Sequence, residues 1–241
     1  MKQTQVIRVV SVKIAALAAV WCFACAAHGG TYSFSSGSLS QEIPDDDPSG
    51  VAYDISFTAA GLEITDVSVT FSITGGQNGD LYAYLSHGSS GTLVLLNRVG
   101  AANGTSGSTL YNYGYSGAGF NNITLSDSGS GNIHNYGGAS LNSLPSIGGT
   151  YKPDGEDVNP LDAPVSFTAA GGSDTFASKF GGSNPYGDWT LFFSDISGGS
   201  VSTLTSWTFE ITAVPEPANV ALGFFGVLLA GGAIVRRRLN R

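Results

Sequence analysis

The chain has 241 residues, of which 42% are hydrophobic and 12% charged, and its formal net charge is −8. Acidic residues number 18 against 10 basic ones, and between the two terminal segments the only basic residues are Arg98, Lys152 and Lys179. Binding of nucleic acid needs basic patches, so this composition excludes a nucleic-acid partner. The surplus of carboxylates suits divalent cations, although a solvated acidic surface accounts for most of these side chains.

The first 27 residues are organised like a secretory signal peptide. Basic residues at positions 2, 8 and 13 precede an apolar run, 14–27, whose small final residues suit signal peptidase. We therefore expect export and cleavage near residue 27. Both cysteines lie in this segment, and bulky Phe23 argues against a lipoprotein signal at Cys25. The mature chain is expected to contain no disulfide, thiol nucleophile or thiolate metal site.

Residues 28–213 are predicted to form one domain of β-strands. Apolar residues alternate with polar ones, turns rich in Gly, Ser and Asn separate the runs, and no apolar period of 3.6 residues is sustained. This pattern predicts an all-β fold, a sandwich of antiparallel sheets without helices. The residues predicted to face the core are Val51, Tyr53, Ile55, Phe57, Val67, Val69, Phe71, Ile73, Trp189, Leu191, Phe193, Trp207, Phe209 and Ile211.

The middle of the chain, 101–149, is rich in Gly, Ser, Asn and Tyr and shows little alternation. Two interpretations stay open here: surface loops that carry binding residues, or loosely packed filler, which we favour. Under the first interpretation, tyrosines would stack against the sugar rings of an extracellular polysaccharide, although such a stripe is more often packed. The tyrosines concerned are Tyr111, Tyr113, Tyr115 and Tyr136.

The sequence carries no recognisable catalytic motif. It contains no Gly-x-Ser-x-Gly elbow, no His-Glu-x-x-His and no phosphate-binding loop. His87 is predicted to be an exposed residue of the turn 86–91, and His134 has no nucleophile motif near it. We therefore expect no enzyme. A secreted hydrolase built on a pair of carboxylates is the weakest alternative.

Four aspartates form the predicted metal site. Asp45, Asp46 and Asp47 supply several hard oxygens from one proline-bounded turn, as a Ca²⁺ ion with six to eight ligands requires. Asp80 would contribute another oxygen if its loop folds alongside. The alternative is that the three adjacent acids only decorate a turn. Other acidic residues are assigned elsewhere: Asp195 to a turn cap, and Asp154, Glu156 and Asp157 to a solvated loop.

The C-terminal segment, 214–241, combines a short proline motif, an apolar stretch and an arginine cluster. The apolar stretch, 218–235, is just long enough to cross a bilayer core of about 30 Å as a helix. The arginines behind it should stay cytoplasmic, which places the preceding domain across the membrane. This order of features resembles the PEP-CTERM sorting signal of Gram-negative bacteria, which implies recognition and cleavage by an exosortase. The motif residues are Val214, Pro215, Glu216 and Pro217, followed by Arg236, Arg237 and Arg238.

A second resemblance covers nearly the whole mature body. It rests on Asp195 and on segments that follow one another in order at 43–51, 64–69, 79–81, 91–100, 149–153, 187–191 and 204–211. Together these segments resemble the P domain, or Homo B domain, that follows the catalytic domain of kexin-like and bacterial subtilisin-type proteases. The resemblance implies a jelly-roll-like β-sandwich, and it favours calcium near the opening aspartates. The chain departs from the family at 75–78 and in the long connection 154–186.

We expect a function without catalysis, because the predicted signal peptide immediately precedes the domain and would leave no room for the protease that the family places there. We expect an exported protein of the cell surface, outer envelope or extracellular matrix, anchored transiently in the inner membrane before exosortase cleavage. The alternative is an adhesion module that binds polysaccharide or protein. Saturable binding to a defined glycan would favour that alternative.

Overall fold

The computed structural model describes residues 29–88, 90–102, 114–138, 146–163 and 166–217, together with 221–222, 225–226, 228–229 and 236. The predicted signal peptide lies outside the described residues, as do Tyr111, Tyr113, Arg237 and Arg238. Ten strands are described, in this order: β1 (Gly30–Ser35), β2 (Gln41–Ile43), β3 (Asp47–Phe57), β4 (Leu62–Gly75), β5 (Leu81–His87), β6 (Gly91–Asn97), β7 (Phe120–Ser126), β8 (Ile147–Tyr151), β9 (Gly187–Asp195) and β10 (Ser202–Pro215).

The strands form two sheets. The first has the order β1-β10-β4-β7-β8, with β2 also paired to β10, and the second has the order β3-β9-β5-β6. Strands distant in sequence are therefore neighbours, and the first strand pairs antiparallel with the last along the whole length of β1. The arrangement is that of a β-sandwich, as the sequence pattern predicts.

Aromatic side chains from the two sheets meet in one core. Phe71 on β4 and Phe193 on β9 have ring centroids 5.4 Å apart, and Trp189 on β9 lies 5.0 Å from Phe209 on β10. Every residue predicted to face the core is buried except Val51 and Tyr53, which are half-buried against the same cluster. The period-2 alternation thus predicted the inner faces of β3, β4, β9 and β10 correctly.

The middle of the chain is more ordered than predicted. β7 lies between β4 and β8 and buries Phe120, Ile123 and Leu125. A bulge after Phe120, where Asn122 has a φ of 51°, interrupts the alternation, so the sequence of this strand shows no regular period of two. The prediction of loosely packed filler is therefore wrong for 120–126.

Two further features correct the predicted architecture. β7 and β8 pair in parallel, so the first sheet is not wholly antiparallel. A short helix, α1 (Phe176–Phe180), buries its two terminal phenylalanines, whereas the sequence predicted no helix. A single turn of helix is too short to show a sustained period, and a capping box formed by Thr175 and Ser178 stabilises its start.

The predicted membrane span falls largely outside the described residues. Among the residues that the structure does describe, no helix is both long enough and apolar enough to span a membrane. Six described residues within the stretch are helical and exposed, and the four large apolar ones among them have relative exposures of 64 to 75%. These four are Leu222, Phe225, Leu228 and Leu229.

Candidate functional site

Carboxylates converge at one end of the second sheet, where β3 and β5 begin and β9 ends. The register pairs Asp195, the last residue of β9, with Asp47 on one side and Leu81 on the other. Asp80 directly precedes β5, and its carbonyl oxygen accepts a hydrogen bond from the Ile196 amide at 2.9 Å. Antiparallel pairing therefore brings together acidic residues that are more than a hundred positions apart in sequence.

Asp80 is the most perturbed acid of this end. Its side chain is buried, and burial together with the neighbouring Asp195 and Asp45 raises its pKa from 3.8 to about 7, although Arg98 acts in the opposite direction. The pKa of Asp195 is also raised, by burial above all, against hydrogen bonds from Ser202 and Ser197. A cation would relieve the repulsion among these carboxylates.

Two oxygens at this end are held by single hydrogen bonds. Asp195 Oδ2 accepts from Ser202 Oγ at 3.1 Å, and Asp45 Oδ2 accepts from the Gly199 amide at 3.0 Å. Asp45 Oδ1 is buried and has no hydrogen-bond partner among the described residues. A buried carboxylate oxygen without a donor fits a bound cation. These oxygens are hard ligands of the kind that Ca²⁺ prefers. No three of the described aspartates at this end, however, have carboxylate oxygens that all lie within 4.8 Å of one another.

Of the four predicted metal ligands, the structure places two near each other, Asp45 and Asp80, and gives the other two different surroundings. Asp45 and Asp80 interact electrostatically and share Asp195 as a neighbour. Asp46 is exposed in the turn with a φ of 54°. Asp47 accepts hydrogen bonds from the amide and hydroxyl of Ser49, and these hydrogen bonds lower its pKa. The Asp47 carboxylate therefore stabilises the local turn through Ser49.

Asp195 lies among the carboxylates at this end of the sheet, although its sequence position predicted only a turn cap. It does cap the following turn weakly, since the Ser197 amide lies 3.5 Å from Oδ1, but its side chain is fully buried. The alternation of Trp189, Leu191 and Phe193 continues to Asp195, and this period could have placed it on the inner face. The predicted cap is therefore only part of its role.

A second group of titratable side chains lies near β6. Asp154 and Glu156 are 0% and 6% exposed, so their assignment to a solvated loop is wrong, whereas Asp157 is exposed as predicted. The amides of Asp154 and Gly155 donate to the carbonyls of Leu95 and Val94, which fixes this segment beside the sheet. No local pattern in the sequence signals this long-range pairing.

His87 is buried, so its prediction as an exposed turn residue is also wrong. Its ring stacks on Trp189 with centroids 4.3 Å apart, and its Nε2 lies 3.2 Å from the Tyr186 carbonyl oxygen. It ends β5 on the inner face, in phase with the buried residues of that strand. This position assigns His87 to packing.

The two described tyrosines of the middle segment pack against each other. Tyr115 is 1% exposed and donates from its hydroxyl to the Gly138 carbonyl at 3.1 Å. The Tyr136 ring lies 4.5 Å from that of Tyr115, and its hydroxyl accepts from Asn78 Nδ2 at 2.8 Å. The Tyr115 ring therefore has no face exposed for stacking against a sugar, as the packed alternative predicted, whereas Tyr136 is half-buried.

The predicted sorting motif begins inside the last strand. β10 extends to Pro215, and Val214 and Pro215 pair with Glu63 and Leu62 of β4. The Glu216 amide then donates to the Gly61 carbonyl at 3.0 Å. The last described strand therefore ends within the predicted motif, two residues beyond the predicted boundary at 213.

Comparisons with known proteins add little. No family model and no curated protein matches the chain. Two solved structures are similar: the Aeromonas sobria serine protease in complex with its chaperone (14% identity, TM-score 0.38, 77% of this chain) and the same protease (13%, 0.37, 76%). The match spans 26% of each of those chains. Similarity this low transfers neither fold nor activity to the chain.

Proposed function

We propose that the chain is an exported, non-catalytic protein of the cell surface or extracellular matrix, with a P domain-like, jelly-roll-like sandwich that an exosortase sorts. The observation that carries this proposal is the position of the predicted motif at the end of β10. Pro215 makes the last described pairing with β4, the Glu216 amide then donates to the Gly61 carbonyl, and exposed apolar residues follow within a few positions. In this proposal the motif separates the β-sandwich from an apolar tail.

The apolar tail requires a non-aqueous partner. Leu222, Phe225, Leu228 and Leu229 are exposed, and burying such a side chain is worth about 1.5–3 kcal/mol each. A membrane helix that precedes cytoplasmic arginines meets this requirement. Signal peptidase would process the other end during export.

Calcium has a structural role in this proposal. Asp45, Asp80 and Asp195 would close around one Ca²⁺ ion where three strand ends meet, and the ion would tie the start of β3 to the end of β9. The raised pKa of Asp80 and the unpartnered Oδ1 of Asp45 support this assignment. Arg98, which lies close enough to lower the pKa of Asp80, offsets part of the repulsion without the ion.

The experiment compares sorting of the parent with a variant of the motif in a host that has an exosortase. The double substitution Glu216→Ala and Pro217→Ala changes the motif beyond the last strand and leaves the β10 pairing intact. We expect this variant to accumulate uncleaved in the inner membrane. The control is Glu210→Ala, which removes an exposed acid from the same strand. Equal sorting of the motif variant and the parent would contradict the proposal.

A second candidate function is binding of an extracellular polysaccharide by the outer face of the second sheet. Tyr82 and Tyr84 are half-exposed there, and the Tyr84 ring stacks on Phe192 with centroids 4.7 Å apart. Retention of the protein in gels that contain glycan tests this function. Tyr84→Ala should abolish retention, whereas Tyr186→Ala, which removes an exposed tyrosine from a loop, should not.

A further inference from the structure

The buried group beside β6 consists of His134, Asp154 and Glu156. Each residue offers one ligand atom, and these three atoms all lie within 4.8 Å of one another. His134 and Asp154 are 0% exposed and Glu156 is 6% exposed. Three ionisable side chains of this kind rarely share a dry site unless their charges are compensated.

The imidazole of His134 is oriented at both nitrogens. Nε2 lies 2.7 Å from the Ala101 carbonyl oxygen, which can only accept, so Nε2 carries a proton. Nδ1 lies 2.8 Å from Asp154 Oδ2. A histidine that binds a metal through one nitrogen almost always donates its other N–H to a carbonyl or carboxylate. The Ala101 contact therefore prepares Nδ1 to be a ligand.

The backbone around the group is fixed independently of any metal. Asn132 Oδ1 accepts from the His134 amide at 2.8 Å, and Asn132 Nδ2 donates to the Asp154 carbonyl at 2.9 Å. The Asn97 amide donates to Asp154 Oδ2 at 3.0 Å. Loops that are distant in sequence are thus joined at this point, and these hydrogen bonds position His134 and Asp154 in addition to their own Nδ1–Oδ2 contact.

Two carboxylate oxygens of the group lack partners. Asp154 Oδ1 and Glu156 Oε2 are buried and have no hydrogen-bond partner among the described residues. The other oxygen of Glu156, Oε1, accepts from the Thr168 amide at 2.8 Å. Leaving such an oxygen buried and unsatisfied costs about 1–3 kcal/mol, and more for a charged group. A cation bound by both carboxylates would offset the cost of these buried oxygens.

We propose that His134 Nδ1 and the carboxylates of Asp154 and Glu156 form a buried site for Zn²⁺. Binding would leave the imidazole neutral, and the two positive charges of the ion would balance the two carboxylates. One nitrogen and two oxygens as ligands favour Zn²⁺ over Ca²⁺ and Mg²⁺, which prefer oxygen alone. The site is separate from the aspartates at the ends of β3 and β9, and the proposal does not depend on sorting.

The test uses the full chain in a non-ionic detergent, because the apolar terminal segments remain present. The protein is unfolded and refolded with Co²⁺, since a buried site fills most readily while the chain folds. We expect one Co²⁺ per chain, visible d–d absorption bands, and their loss when Zn²⁺ but not Mg²⁺ is added. His134→Gln should weaken Co²⁺ binding at least about tenfold.

The control variant is His87→Gln, which removes the second buried histidine that the structure describes and should keep the parent's Co²⁺ spectrum. If His134→Gln fails to fold, Glu156→Gln decides, because its amide oxygen can still accept from Thr168 while the charge is lost. Absence of Co²⁺ from the refolded parent would overturn the proposal. So would binding by a folded His134→Gln or Glu156→Gln variant that equals the parent's.

Discussion

Trp189 and Trp207 lie on facing sheets of one core, and their indole nitrogens are in different environments. Trp189 Nε1 donates to the Pro185 carbonyl at 2.9 Å, whereas Trp207 Nε1 is buried without an acceptor among the described residues. Trp207 instead packs its ring against Tyr53, with centroids 5.3 Å apart. The two tryptophans are thus equivalent in burial but not in hydrogen bonding.

This difference predicts unequal costs for replacing each tryptophan by phenylalanine. Truncation of either to Ala should cost about 3–5 kcal/mol of unfolding free energy. Trp189→Phe leaves the Pro185 carbonyl unsatisfied and should cost about 1–2 kcal/mol more than Trp207→Phe. Urea melts of the full chain in detergent provide the measurement. Equal losses for the two Phe variants would show that the Pro185 contact contributes nothing.

The fold was predictable where one strand buries one regular face. The alternation of Trp207, Phe209 and Ile211 survives in β10, because a sheet packed on one side repeats every second residue. β7 was missed because its bulge at Asn122 shifts that repeat. α1 was not predicted because a helix of one turn is too short to show an apolar period of 3.6 residues.

The candidate sites were less predictable than the fold. Asp45 and Asp80 were chosen for their chemistry, and strand pairing adds Asp195 to them, a contact that only the strand order creates. His134 and Asp154 are 20 residues apart and meet through contacts of both with Asn132. No spacing rule for a local motif describes such a pair.

A glycine beside the buried histidine group should resist substitution. Gly155 has a φ of +67°, and a Cβ there would meet the Asp174 carbonyl oxygen at 2.3 Å. Gly37 has a similar φ of +64° but nothing within 4 Å, so it serves as the matched control. Gly37→Ala should cost about 1–2 kcal/mol from backbone strain alone. Gly155→Ala should cost clearly more in the same thermal melts, and a cost equal to that of Gly37→Ala would contradict the close contact.

Calcium should stabilise the protein through the ends of β3, β5 and β9. A ligand that binds only the folded state at a hundredfold excess over its Kd adds about 2.7 kcal/mol. The melting temperature should rise with Ca²⁺, less with Mg²⁺, and fall with chelator. Asp45→Asn or Asp195→Asn should flatten this response, whereas Asp47→Asn should keep it, because Asp47 bonds to Ser49.

General screening of the acidic surface is the competing explanation for a calcium effect. It requires that Na⁺ at matched ionic strength stabilise the protein as much as Ca²⁺ does. Equal effects of the two ions, or an unchanged response in Asp45→Asn, would show that the aspartate cluster binds no calcium and only forms a turn.

Stability without calcium should depend on pH through Asp80. Its pKa rises from 3.8 to about 7 on folding, so between these values the folded state binds more protons than the unfolded state. The unfolding free energy should therefore fall as pH rises from about 4 to about 7. Asp80→Asn removes the titrating group and should make the fall shallower. A variant whose pH profile runs parallel to the parent's would contradict the raised pKa of Asp80.

The central claim is that an exported sandwich is cut free of its tail at the motif that follows β10. Intact-mass analysis of the exported protein, from a host that has an exosortase, tests it most directly. The account predicts the mass of a chain that begins near residue 28 and ends between Pro215 and Pro217, next to the last pairing with β4. A species that retains the arginines at positions 236–238 at full abundance would contradict the claim and indicate a permanent membrane anchor.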